Sequence, residues 1–164
     1  MSGVLVLGWG NPSRGDDAMG PELVRRLEAL APERPVWREH AFLTDFQLQP
    51  EHALDLAEHD LVLFADASVS ASDPYTFSRL QPERDRSFTS HAMSPSAVLA
   101  VYRQLFGREA PDAYLLAMHG EAFELGEPMG EPAERRLEAA LALGVRLLDA
   151  PDAVDSLLRS APTS

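Results

Sequence analysis

Two hydrophobic periods divide this chain. Short runs of consecutive apolar residues, "VLVLG" (Val4 to Gly8) and "DLVLFADAS" with Asp66 at its end, predict strands buried on both faces. Between them "MGPELVRRLEALA" carries Leu23, Leu27 and Leu30 at helical spacing and stops before Pro32. "VWREHAF" predicts a weaker second strand, and "PEHALDLAEH" a short helix opened by Pro50. "TFSRLQ" predicts an edge strand. "SPSAVLAVYRQLFG" predicts a helix with Ser94 as N-cap and Gly107 as its stop. "AYLLAMHG" is then the last core strand and "EPAERRLEAALALGVRLLD" the closing amphipathic helix. Strands alternating with helices predict an α/β fold with helices on both faces of a largely parallel sheet. A single domain over residues 1–150 is expected, followed by a tail, 151–164, with room for a short helix.

Composition agrees with a folded chain and removes several chemistries. Of 164 residues 45% are hydrophobic and 24% charged, the balance of a globular domain. There is no cysteine, so disulfides, thiolate metal sites and thiol catalysis are excluded. There is no lysine either, which excludes Schiff-base and Ser-Lys chemistry. The formal charge of −12 opposes nucleic-acid binding, where a surplus of cations is needed to displace counterions. The apolar run from Val4 to Leu7 is broken at once by Gly8, Gly10 and Asn11, so neither export nor a membrane span is expected, and a cytoplasmic location is.

Charge changes the reading most at one turn. In "LGWGNPSRGDDAMGP", Gly10 and Gly15 have the spacing of a phosphate-binding loop, but Asp16 and Asp17 stand where such a loop carries Lys and Ser or Thr. The charge at this turn is inverted. In an open parallel sheet, ligands lie beyond the carboxyl ends of the strands, where strand order reverses. If the first and third strands are neighbours, Asp17 and Asp66 meet there, and His91 in "SFTSHAMSP" can reach the same crevice from a helix start. Two carboxylates and an imidazole suit nickel, zinc, iron or manganese. Each residue also has an ordinary reading: Asp16 or Asp17 as a helix cap, Asp66 as a polar strand end, His91 as a structural histidine. His119, closing the last core strand, is a second-rank candidate. His52 and His59 read as helix surface and His40 as a strand end.

These residues resemble the NiFe-hydrogenase maturation proteases. The resemblance runs through "LVLGWGNPSRGDDAMGPELV", "LVLFADAS" and "SHAMSPSAVL" in the family's order and spacing, and covers most of the chain. Its distinctive part is the pattern G-x-G-N-x-x-x-x-D followed by Asp or Glu. "FQLQPEHALDLA" looks like a segment of members serving cytoplasmic, cofactor-linked hydrogenases, and "HGEAFELGEPMG" resembles the final strand and a Gly-rich substrate-facing loop. Some members carry Glu at the position of Asp17, and Ala18 replaces a frequent Gly.

The resemblance implies a three-layer α/β/α sandwich around a five-stranded, mostly parallel sheet with one antiparallel strand at its edge. It implies an endopeptidase that trims the C-terminal extension of a hydrogenase large-subunit precursor. Asp17, Asp66 and His91 then serve as catalytic and metal-holding residues for nickel that the precursor supplies. Asp16 is expected to be a helix cap rather than a general base. A non-catalytic module that checks nickel-loaded precursor is the alternative on the same fold. A nucleotide-binding enzyme is opposed by the two carboxylates at the turn.

Overall fold

Strands β1 (Val4–Trp9), β2 (Ala41–Asp45), β3 (Leu61–Ser68), β4 (Tyr75–Arg79) and β5 (Asp112–His119) form one sheet in the order β2-β1-β3-β5-β4. All neighbours are parallel except β4, which runs antiparallel to β5 at the edge. This computed structural model describes residues 3–83 and 93–161. Helices α1 (Met19–Leu30), α2 (His52–Asp55), α3 (Pro95–Phe106), α4 (Glu131–Asp149) and α5 (Val154–Ser160) complete the chain. Among the described residues, no helix is long and apolar enough to cross a membrane.

The sheet carries a core on each face. Alternate residues of β1 part company: Val4 and Val6 join Leu23 and Leu27 of α1 with Leu137 and Leu147 of α4, while Leu5, Leu7 and Trp9 join Val98, Leu99 and Tyr102 of α3. Every residue of β1 is buried, as the uninterrupted apolar run requires of a central strand. Val154 and Leu157 bring α5 into the first of these cores. The result is the three-layer sandwich the resemblance implied.

Local signals fix the ends of α3. The Ser94 hydroxyl accepts the Ala97 N–H at 3.1 Å, Pro95 occupies the first helical position, and Gly107 ends the helix at φ +65°. Elsewhere tertiary partners override the pattern. Val36 and Trp37, expected in the second strand, belong to a tight 3-10 turn, and the strand begins only at Ala41. Proline at the start of that turn and the buried Trp37 indole, whose Nε1 donates to Asp149 at 2.7 Å, hold it beneath α4. The helix expected over "PEHALDLAEH" is one turn, His52–Asp55. The third strand continues past Asp66 to Ser68 because its last residues pair with β5 up to His119.

Strand order places the site. The chain passes from β1 through α1 to β2 on one side, and β3 lies on the other, so the order reverses between β1 and β3. Gly8 pairs with Ala65 there, one residue short of Asp66.

Candidate functional site

Glycines let the turn after β1 close on itself. Gly10 has φ +147°, and a Cβ there would lie 2.0 Å from the Asp17 carbonyl oxygen. Its N–H donates to the Asp45 carbonyl at 3.1 Å, tying the turn to the end of β2. Gly15, at φ +57°, packs so tightly that a Cβ would lie 2.4 Å from the carbonyl oxygen of Ala122. Between them the chain makes a short 3-10 turn, Gly15–Ala18, that runs straight into α1.

Asp16 and Asp17 leave this turn in different directions. Asp17 folds back, and its Oδ2 accepts the Asn11 N–H at 2.8 Å. Asp16 points inward and is only 3% exposed. Its Oδ2 accepts the N–H groups of Glu121 at 2.9 Å and Ala122 at 3.2 Å, and its Oδ1 accepts that of Gly130 at 3.2 Å. The expectation that Asp16 caps the first helix is therefore corrected: Ala18 holds the N-cap position of α1, and the Asp16 carboxylate is used by the loop between β5 and α4. That loop supplies closer and more numerous donors than the helix start. Burial raises the Asp16 pKa, but these three amides and the charge of Arg136 outweigh it and hold the carboxyl below its ordinary value.

Asp66 shows the opposite balance. Burial at the end of β3 raises its pKa, the Ala67 amide pulls it down, and the charge of Asp17 pushes it up again, to about 7. The fold thus brings Asp17 and Asp66 into electrostatic contact across the β1/β3 switch point, with no basic group among the causes that set the Asp66 value. Two carboxylates crowded in this way attract a cation or retain a proton. His91 lies outside the described residues. Among the described residues no group of three His, Asp or Glu side chains is placed to hold a metal ion.

Three of the other histidines are occupied, whereas the buried Nδ1 of His59 has no hydrogen-bond partner among the described residues. His119 Nδ1 lies 2.8 Å from the Ala71 carbonyl, to which it donates, and its Nε2 is 3.4 Å from Glu121. Glu121 in turn accepts from Arg136, whose Nε and Nη2 also pair with Asp73 at 3.0 and 2.9 Å. His40 joins two elements, accepting the Val4 N–H at Nδ1 and facing the Leu148 carbonyl through Nε2. His52, read from the sequence as helix surface, is 5% exposed. It accepts the Gln49 N–H at Nδ1 and directs Nε2 to Asp45 at 3.2 Å, so the short helix turns its polar residue inward to secure the end of β2.

The resemblance reads the β5–α4 loop as substrate-facing, but sequence reasoning missed its bonding to the Asp16 carboxylate. The available signal was Gly120, Gly126 and Gly130 in one stretch; a Cβ on Gly120 would lie 3.3 Å from the Asp16 Cβ. Beside the turn a groove of about 270 Å³ runs from Gly10 past Pro12 and Pro21 to Phe46. A larger cavity, of about 700 Å³, lies at the amino ends of β1, β3 and β5 and does not border the carboxylate pair.

No sequence-family profile matches the chain, and no curated protein does. Solved structures do. The NiFe hydrogenase maturation protease HycI from Thermococcus kodakarensis superposes with a TM-score of 0.70 at 23% identity, over 90% of this chain and 93% of its own. The hydrogenase maturating endopeptidase HybD from E. coli gives 0.67 at 25% identity, over 91% and 93%. A hydrogenase 2 maturation peptidase from a Thaumarchaeota archaeon gives 0.64 at 22% identity, over 89% and 97%. The chain has the fold of the hydrogenase maturation proteases.

Proposed function

We propose that this protein is an endopeptidase that removes the C-terminal extension of a hydrogenase large-subunit precursor, and that nickel carried by the precursor is its recognition signal. The fold shared with maturation endopeptidases over about nine-tenths of the chain supports the activity. The observation that carries the nickel reading is the Asp17–Asp66 pair, two carboxylates close enough for the charge of one to act on the other at the switch point where the sheet opens. Their chemistry fits a borderline divalent cation, and His91 is proposed as the third donor.

Recognition follows from electrostatics. Without precursor, burial first and the nearby Asp17 charge second lead Asp66 to keep a proton near neutral pH. A precursor bringing a divalent ion replaces that proton, so part of its binding free energy exists only when the ion is present. A metal-free precursor meets two carboxylates with nothing to join them.

Residue chemistry narrows the cleavage step. With neither Cys nor Lys in the chain, a thiol nucleophile and a Schiff base are excluded, and the carboxylate pair favours attack by water on a carbonyl that the substrate-borne ion would polarise. Asp16 is not the base, because its oxygens are buried and taken by three amides. The groove ending at Phe46, 68% exposed, offers apolar contact to polypeptide flanking the scissile bond.

The test mixes purified protein with nickel-loaded and nickel-free precursor and follows the mass of the large subunit. Trimming of the loaded form alone is expected. Equal trimming of both defeats nickel gating, and binding of the loaded form without trimming identifies a non-catalytic checkpoint.

A further inference from the structure

The loop between β5 and α4, residues 120–130, carries little regular structure yet is fastened at both flanks to the turn after β1. Gly15 N–H donates to the Glu127 carbonyl at 2.9 Å, Asp16 N–H to Ala122 at 2.7 Å, and Gly126 N–H to Ser13 at 2.6 Å. The Asp16 carboxylate adds the amides of Glu121, Ala122 and Gly130, which lie 105 to 114 residues away in sequence. A side chain so used, and only 3% exposed, is committed to the loop and is not presented to a substrate. Phe123 packs against the core as the loop's anchor, whereas Leu125, at its crest, is 66% exposed. Leu125 thus stands as an isolated apolar side chain on the loop next to the Asp16–Asp17 turn.

We propose that Asp16 is a positioning residue: it holds the 120–130 loop as a preformed wall beside the Asp17–Asp66 crevice, onto which the polypeptide of the precursor docks through Leu125. The proposal rests on the processing function argued above. A loop ordered during folding does not have to be ordered during docking, so the loss of Asp16 weakens precursor binding and leaves the cleavage groups where they are. Asn at this position retains one carbonyl oxygen for Glu121 and Ala122 but turns an NH2 toward the Gly130 N–H, so its effect lies between wild type and Ala.

The test pairs amide hydrogen exchange with processing kinetics for wild type, Asp16→Asn, Asp16→Ala and Leu125→Ser. In the wild type the amides of Glu121, Ala122 and Gly130 are expected to be protected, with exchange in Asp16→Ala faster by roughly tenfold or more while β1 and α3 are unchanged. With nickel-loaded precursor, KM is expected to rise about tenfold in Asp16→Ala and about threefold in Asp16→Asn and Leu125→Ser, with kcat within about twofold of wild type. If Asp16→Ala does not fold, the Asn and Leu125→Ser variants carry the same comparison. A collapse of kcat at unchanged KM makes Asp16 catalytic and overturns the proposal, as do unprotected wild-type amides or a Leu125→Ser enzyme with unchanged KM. A wild-type chain that neither binds nor trims precursor refutes the processing reading and, with it, the docking role; the exchange data still decide separately whether Asp16 holds the loop.

Discussion

Gly10 and Asp17 approach so closely that a Cβ on Gly10 would lie 2.0 Å from the Asp17 carbonyl oxygen and 3.1 Å from its Oδ1. The glycine is therefore part of the carboxylate's mounting. Gly10→Ala is expected to displace Asp17, to weaken divalent-ion binding at least tenfold, and to cost roughly 1–3 kcal/mol from the strained backbone. Calorimetric titration with nickel and urea unfolding of the same variant check both effects; wild-type ion affinity in a folded Gly10→Ala protein contradicts the mounting.

Asp66 gives a pH dependence of definite sign. Its pKa rises from an ordinary 3.8 to about 7 on folding, so the folded state favours the protonated form. That contribution is complete below about pH 4 and is lost as the pH rises through about 7, with at most roughly 4 kcal/mol at stake. Asp66→Asn is expected to flatten the curve of unfolding free energy between these values and to be the more stable protein at pH 8. Parallel curves for the two proteins remove Asp66 as their source.

The same carboxyl couples ion binding to proton release. Affinity for nickel or cadmium is expected to rise with pH by up to about tenfold per unit below 7 and to level off above it. Calorimetry in buffers of different ionisation enthalpy reads the proton directly. Asp17→Ala, Asp66→Ala and His91→Ala are each expected to lose the binding signal, and unchanged binding in Asp66→Ala together with His91→Ala defeats the assignment of those two donors.

Processing separates from folding at Asp17. Asp17→Ala is expected to abolish trimming of nickel-loaded precursor while preserving the circular dichroism spectrum, because among the described residues the side chain's hydrogen bond is a local one, to the Asn11 N–H. Retained trimming removes Asp17 from the site.

A core substitution provides the contrast. Leu27 is fully buried between α1 and α4, where a Cβ on Gly144 would lie 3.1 Å from its side chain. Leu27→Ala is expected to cost about 2–5 kcal/mol in urea unfolding and to leave ion affinity unchanged. A loss of ion binding in the folded variant instead ties the core to the site.

What the sequence made legible was whatever short-range physics decides. The buried strands β1 and β3, the Ser94 cap and Gly107 stop of α3, and the long amphipathic α4 all carry their causes within a few residues. The meeting of the Asp17 and Asp66 charges was legible too, because a parallel sheet with right-handed crossovers allows few strand orders. Trp37 and His52 were misread because their partners, Asp149 and Asp45, are brought by the fold and not by neighbouring sequence. Asp16 was misread for the same reason. A carboxylate before a helix looks like a cap, and nothing in its vicinity announces the distant amides that take it instead.

The stitching of residues 13–16 to residues 122–127 also bears on how such a protein can change over generations. Two stretches more than a hundred residues apart form one piece of architecture, so a lengthened or shortened loop on one side leaves backbone donors stranded on the other. A change of length in one therefore has to be matched by the other if these bonds are to be kept. Grafting either stretch alone onto a related scaffold transplants half a hinge plate without its screws.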